Sequence, residues 1–401
     1  MSGAVTDPAA PPRRRAPTHW LAQVVPGSVP GVDRLPDRAE VVVVGGGVAG
    51  VSAAYWLARM GAGVLLLESR RLGWGATGRN AGIMLAGQSP LEDPALLREV
   101  LAEEGIEAEY EEPGHLALAR TPAIRERMDQ EVAARPATAP PLRVLDPAEC
   151  EELLGLRIAP DFLGGRWLPG GAVVHPACFL YGIARAAVRR GALVATQTPV
   201  LSAGPAPRGD GVRVTTARGT VRARHLVLAC SARSPLLRRR MGRAVTPVRG
   251  QVLATRPMRR VFRVGLAVDW GTLYWRQAAD GAVVLGGYRN LDPAGETGTR
   301  ETLHPRIQEA LERFLPQAFP GLGPVVVARR WAGIMDETAD GRPVVGRWPD
   351  DSGVWVSAGF GGHGLPPALG VARALAAALV RDGAPEGMDR LDPARFKEFL
   401  R

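Results

Sequence analysis

The chain has 401 residues, 46% of them hydrophobic, and a formal net charge of +10 at pH 7. That length allows a large core in two or three lobes. Lys397 is the only lysine, so the excess charge is arginine scattered along the chain; this argues against the clustered basic stripe of a nucleic-acid-binding protein. Cys150, Cys178 and Cys230 are isolated, which argues against a disulfide framework, a C-x-x-C redox pair and a zinc site, and fits a reducing cytoplasm. The longest valine run is too short and too broken by glycine to span a bilayer, so no membrane partner and no metal are expected.

Residues 1–37 are rich in Pro, Arg and Ala and read as an N-terminal extension: a disordered tail, then an arm, Thr18-His19-Trp20-Leu21, that packs on the surface of the fold. The organising stretch follows. Val41-Val42-Val43-Val44 is apolar on both faces, as a buried parallel strand requires. Gly45, Gly47 and Gly50 then spell G-x-G-x-x-G. The first glycine permits the tight turn, the second lets the backbone approach a pyrophosphate, and the third lets the new helix pack on the strand. The helix, read over 51–60, carries Val48 and Ala49 just before it and ends at Gly61 and Gly63. A second strand, Val64-Leu65-Leu66-Leu67, closes on Glu68-Ser69, near the ~20-residue spacing of a ribose-binding acid. Strand, helix, strand and acid in this order make a dinucleotide site out of what would otherwise be a weak motif in a glycine-rich chain.

Gly73-Trp74-Gly75-Ala76-Thr77-Gly78-Arg79-Asn80-Ala81-Gly82 comes next, a backbone able to pass close to a flat ligand. From 92 to 165 helix-like stretches at 97–104 and 122–134 alternate with strand-like ones, and Pro136, Pro140 and Pro141 mark a loop. The acidic cluster at Glu103-Glu104 and Glu111-Glu112 reads as a solvated face. Gly170-Gly171-Ala172-Val173-Val174-His175-Pro176 leads into a helix over 177–190, with His175 as its cap. Strands are expected at 192–200, ending Thr198-Pro199-Val200, at 212–217 with 220–223 around Gly219, and at 225–229, ending Ala229-Cys230-Ser231-Ala232. From Val245 the pattern turns all-β: 248–253, Tyr274-Trp275-Arg276, a turn at Asp280-Gly281, then Val283 to Arg289 with Tyr288. A helix over 306–314 and a strand over 325–333 follow. The last part carries Trp331-Ala332-Gly333, Thr338, Asp340 and Pro343-Val344-Val345-Gly346, a strand at 354–358, Gly359-Phe360-Gly361-Gly362-His363-Gly364-Leu365, and a helix over 368–380 opened by Pro366 and Pro367.

Taken together, these motifs resemble the D-amino acid oxidase-like family of FAD-dependent amine oxidoreductases, which includes glycine oxidase, sarcosine oxidase and the γ-glutamylputrescine oxidases. The last group looks nearest because it also has a Trp-containing arm before the first strand. The resemblance implies an α/β (α+β overall) fold with a Rossmann-like FAD-binding domain and a second, mixed-sheet substrate domain. It divides the chain into an extension (1–37), a discontinuous FAD-binding domain (38–91, 165–245 and 331–401) and a substrate-binding domain (92–164 and 246–330). It implies FAD contacts at Gly45, Gly47, Val48, Ala49, Gly50, Glu68 and Ser69, and beside the isoalloxazine at Gly75, Ala76, Thr77, Arg79, Asn80, Ala81 and Gly82. Val200 would touch the adenine. Ala229, Cys230 and Ser231 stand where relatives have A-x-G, with serine replacing the glycine. Gly333, Gly361, Gly362, His363, Gly364 and Leu365 would line the flavin at the end of the chain.

The chemistry implied is oxidation of the C–N bond of a small amine or amino acid by hydride transfer to flavin N5. The imine then hydrolyses, and O2 reoxidises the flavin to give peroxide. Arg276 and His363 are the candidate catalytic residues. Arg276, Arg289 and Arg330 are candidates for binding a substrate carboxylate, Arg276 first because it follows two aromatics on a strand, with Tyr274 and Tyr288 as further pocket candidates. Gly333 replaces the cysteine that tethers flavin in sarcosine oxidases, so FAD is expected to be noncovalent. Pro366 replaces a flavin-side lysine of those enzymes, which leaves a dehydrogenase with another acceptor, or a flavin monooxygenase, as alternative readings.

Overall fold

The computed structural model describes residues 18–85, 92–136, 139, 141–206, 211–349, 351, 353–384 and 387–396. The N-terminal tail before Thr18, Pro140 and Lys397 lie outside the described residues. Around the valine run a mixed sheet forms in the order Val344–Arg347, Val354–Ala358, Gly219–Leu228, Arg38–Val44, Val64–Leu67 and Leu193–Ala195. From Val354–Ala358 to Leu193–Ala195 the neighbours are parallel. Alternation along the first strand places Val41 and Val43 in one core and Val42 and Val44 in the other. Each buried valine contributes roughly 1.5–3 kcal/mol. The helices Val48–Arg59, Pro176–Arg189 and Ala368–Val380 cover the first face. The parallel strands end together at Val44, Leu67, Leu228 and Ala358, so the loops after them converge on one edge.

A second sheet runs Val327–Thr338, Val245–Thr255, Val283–Gly287, Leu273–Gln277, Gly265–Val268, His115–Leu118, Gly165–Leu168 and Arg143–Leu145. Residues 165–168 and 331–338 therefore supply strands to this sheet. One of its faces is a core of Leu253, Leu285, Trp275, Leu266 and Leu116 under the helix Pro305–Ala318, where Trp275 meets Phe314 edge-on at 5.0 Å. Residues paired across a ladder share a face. The register thus sets a row on the opposite face, in order Trp331, Val252, Gly286, Tyr274, Ala267, Ala117 and Arg166. Gly250, paired with Gly333, lies on that face two residues from Val252.

Most helices agree with the sequence pattern to within a few residues, and the strand at 354–358 agrees at both ends; the last helix ends at Val380 as expected but starts at Ala368, with Pro367 as its N-cap and not in its first turn. Three expectations need correction. The stretches expected separately over 220–223 and 225–229 form one strand, Gly219–Leu228. The strand expected over 192–200 breaks at Gln197, whose φ is 52°. The break is held by Gln197 N–H on Arg70 O and Thr198 N–H on Glu68 O, each at 2.8 Å, and the chain resumes as Val200–Pro205. The acidic cluster is not a plain solvated face. Glu104 has a 4% exposed side chain and takes Arg189 at 2.8 Å and Arg190 at 2.9 Å, while Glu103 takes Arg59 at 2.6 Å. His175 does cap its helix, accepting from Cys178 N–H at 3.0 Å. Burial pushes its pKa down to about 4, so the ring stays a neutral acceptor.

Candidate cofactor and active site

The glycine turn after the first strand is a cradle that side chains would fill. Gly45 has φ 120°, and a Cβ there would lie 2.3 Å from Ala229 O; at Gly50 it would lie 2.0 Å from Gly45 O. Gly47 is the N-cap of the helix and has no side chain to cap it. The Thr77 hydroxyl accepts from Val48 N–H at 3.0 Å, and Ala49 and Gly50 complete the open first turn. Unpaired helix N–H groups over a floor of glycine backbone are what a pyrophosphate needs, so these residues fit a dinucleotide. The groups that would hold FAD are the N–H donors of this turn and the Glu68 carboxylate as an acceptor.

Glu68 is already at work on the cradle. Its Oε2 accepts from Gly46 N–H at 2.6 Å, and its Oε1 accepts from Arg70 N–H at 2.7 Å and from the Ser69 hydroxyl at 3.1 Å. Val200 begins the strand two residues beyond Thr198, the residue bonded to Glu68 O. On the other side, Ala229 and Cys230 back the turn. The Cys230 thiol donates to Val44 O at 3.1 Å, and burial pushes its pKa up to about 12. Ser231 adopts φ 51°, a left-handed conformation that explains a glycine at this place. The Ser231 hydroxyl bonds the buried Asp336 carboxylate, which also accepts from Gly359 N–H at 2.5 Å; Asp336 O accepts from Gly361 N–H at 2.8 Å. Asp336 therefore ties together the ends of two cofactor-side strands. Burial raises its pKa.

The loop 75–82 runs from the cradle to the second sheet. Asn80 folds it on itself, donating to Thr77 O at 2.9 Å and accepting from Gly82 N–H at 2.8 Å. Arg79 is buried and donates to Trp74 O at 2.7 Å and Ala332 O at 2.6 Å, with Glu301 3.2 Å away. A Cβ on Gly333 would meet the Arg79 side chain at 3.0 Å. Gly361, Gly362, His363 and Gly364 form the turn before the helix at 368–380, which has no side-chain cap, and Leu365 is buried behind it. His363 is exposed, with Nδ1 3.0 Å from Gly361 O.

A family model described as FAD dependent oxidoreductase matches residues 40–378. The chain belongs to this family. Among its relatives, glycine oxidase of Bacillus licheniformis is 30% identical over 83% of this chain and 91% of its own length. Mitochondrial dimethylglycine dehydrogenase of mouse is 28% identical over 90% of this chain, which spans 45% of that longer protein. The crystal structure of glycine oxidase from Geobacillus kaustophilus superposes with a TM-score of 0.78 at 23% identity, covering 90% of this chain and 99% of that one. FAD is thus the cofactor, and the protein is a FAD-dependent oxidoreductase with the mixed α/β fold of these structures.

The sheet's alternation sorts the substrate candidates. Tyr274 sits in the row that runs from Trp331 to Arg166, flanked by Gly286 and Ala267. Burial pushes its phenol up to about 12, so it remains a neutral hydrogen-bond donor. Arg276 lies on the same face but is committed: Nε donates to Ala81 O at 3.0 Å and the guanidinium lies 4.8 Å over Trp20, leaving Nη2 buried without a partner among the described residues. Arg330 and Tyr288 do not join them. Arg330 pairs across the ladder with Leu253, on the other face, and reaches Gln308 and Glu312 of the covering helix. Tyr288 packs toward Phe314 of that helix. Arg289 is paired with Glu337 at 2.6 Å. Strand alternation turns Arg330 away from the face that carries Tyr274 and Arg276, whereas Tyr288 and Arg289 lie past the end of their strand at Gly287, where Tyr288 takes φ 58°. Sequence reasoning placed Thr18 and Trp20 on the surface of the fold, whereas both are buried and bond the loop backbone, and it gave no site role to Trp331, which does the same, or to Asp336. Two of them, Trp331 and Asp336, sit within a recognised motif stretch.

Among the described residues no helix is long and apolar enough to cross a membrane, and no cluster could hold a metal ion.

Proposed function

We propose that the protein oxidises a C–N bond of a small amine or amino acid. The reading is carried by one observation, the second sheet's row of small residues, Gly286, Ala267 and Ala117, with the Tyr274 hydroxyl lying over Gly286 as a polar group on that face. Bound FAD would supply the hydride acceptor. Tyr274 would bind and orient the substrate through its neutral hydroxyl. Arg79 and the uncapped helix at 368–380 would hold positive potential where negative charge develops, in place of the lysine that Pro366 displaces. Names of relatives such as glycine oxidase and dimethylglycine dehydrogenase support a small amino-substituted acid as substrate class. We take O2 as the acceptor, FAD as noncovalent, and the compartment as reducing, since all three cysteines are free.

The test is anaerobic mixing of the FAD-loaded enzyme with a panel of amines and of D- and L-amino acids. At least one should bleach the oxidised flavin absorbance, and NADH and NADPH should not. Admission of air with prompt peroxide formation marks the oxidase. Rapid bleaching by NADPH with no response to any amine would replace this reading with a monooxygenase.

A further inference from the structure

The glycine-rich loop that would run beside the flavin has few side chains with which to hold its own shape. Four successive carbonyls in it are each taken by a donor from elsewhere in the chain. Gly78 O accepts from the Thr18 hydroxyl at 2.6 Å, Arg79 O from Trp331 Nε1 at 2.9 Å, Asn80 O from Trp20 Nε1 at 2.6 Å and Ala81 O from Arg276 Nε at 3.0 Å. Two of the four donors belong to the N-terminal arm. Thr18, His19, Trp20 and Leu21 are all buried, Trp20 completely. Leu21 lies against the loop glycines themselves: a Cβ on Gly78 would meet its side chain at 2.8 Å, and one on Gly73 at 3.4 Å.

The arm is anchored to both halves of the fold. Gln23 reaches His175, the cap of a cofactor-side helix, at 3.2 Å, and Asp280, in the turn of the substrate-side hairpin, at 3.2 Å. His19 lies 3.4 Å from the same Asp280. Trp20 is sandwiched by His175, edge-on at 4.9 Å, and by the Arg276 guanidinium at 4.8 Å.

We infer that the arm, Thr18 to Gln23, is part of the cofactor site: it positions the flavin-side loop by holding its carbonyls, and Arg276 serves the same loop. The inference rests on FAD occupying the cradle described above. A trans peptide sets its N–H opposite its C=O. Holding the Arg79 and Asn80 carbonyls therefore turns the Asn80 and Ala81 N–H groups to the opposite side, where they can donate to the cofactor. Thr18, Trp20 and Arg276 are positioning residues, since they act through the loop backbone.

Trp20→Phe keeps a ring under Arg276 and deletes the indole N–H; Thr18→Val keeps the shape and deletes the hydroxyl. FAD affinity of the apoproteins is read by flavin fluorescence quenching, and melting temperature is read with and without FAD. Each variant should bind FAD about tenfold more weakly, the effect of one lost bond that leaves a buried carbonyl unpaired, and the double variant about a hundredfold. The stabilisation that FAD gives should shrink in step. Wild-type affinity in the variants, or equal melting losses with and without FAD, would overturn the inference and make the arm a strap for the fold alone. Wild-type protein that fails to bind FAD would overturn the cofactor site itself, and is told apart by that result. If Trp20→Phe does not fold, Thr18→Val carries the same test.

Discussion

Glu68 offers the sharpest test of the cradle, because both of its carboxylate oxygens are already engaged by the backbone. Oε2 takes Gly46 N–H and Oε1 takes Arg70 N–H. Each bond to a charged acceptor is worth ~1.5–3 kcal/mol, and partial exposure brings two of them to roughly 2–4 kcal/mol together. Glu68→Ala should lose that much stability as apoprotein. It should also lose FAD affinity by a further ~1.5–3 kcal/mol for a ribose hydrogen bond, or about 10- to 150-fold. Glu68→Gln is the discriminating variant. Its amide has one acceptor oxygen, so one of the two N–H groups would face an NH2. Glutamine should therefore fall close to alanine, not midway. Denaturant melts of apoprotein and FAD titrations decide the matter. A Glu68→Gln protein matching wild type in both would refute the claim that the carboxylate organises the turn.

The buried Asp336 gives a pH prediction. Its folded-state pKa is raised by burial, so the stability tied to this group is fully present below the unfolded-state value and is lost as pH rises through the folded one. Asp336→Asn should accordingly be more stable than wild type at neutral pH, with the difference closing in acid; a melting difference independent of pH would count against it. Acid precipitation should leave a colourless pellet and yellow supernatant, since Gly333 offers no tether, and flavin retained on a peptide would contradict this. Tyr274→Phe should weaken reduction by the best amine about tenfold, one hydrogen bond's worth. The pH profile below about 10 should keep its shape, because the phenol titrates near 12.

Much of this arrangement is legible in the sequence where the reason is local. The valine run, the glycine spacing and Glu68 each answer to backbone geometry within one βαβ unit, and the glycines before the last helix answer to a turn. The carbonyl donors are not legible in that way. Thr18 and Trp20 act on residues sixty positions away, and nothing in the arm's own pattern states which carbonyl its indole will meet. The break at Gln197 is only half visible: Thr196-Gln197-Thr198-Pro199 is a polar interruption with a proline inside 192–200, but the contacts that fix the split come from Glu68 and Arg70.

The arginines show how abundance weakens a residue-type argument and how topology repairs it. Guanidinium chemistry alone makes Arg276, Arg289 and Arg330 equal candidates for a carboxylate. Register divides the two that lie in strands, because a strand turns alternate residues to opposite faces, while Arg289 lies past the end of its strand and is paired with Glu337. Arg330 goes to the helix side with Leu253, while Arg276 goes to the face it shares with Tyr274. Even there, sharing the face is not enough for substrate binding, since the Arg276 Nε and the flat of its guanidinium are occupied by Ala81 O and Trp20. What reaches the site is then decided by what the loop leaves uncovered. On the row itself the proposed site has a hydroxyl on Tyr274 between glycine and alanine, a setting that would accept a small substrate and distinguish it by one neutral donor.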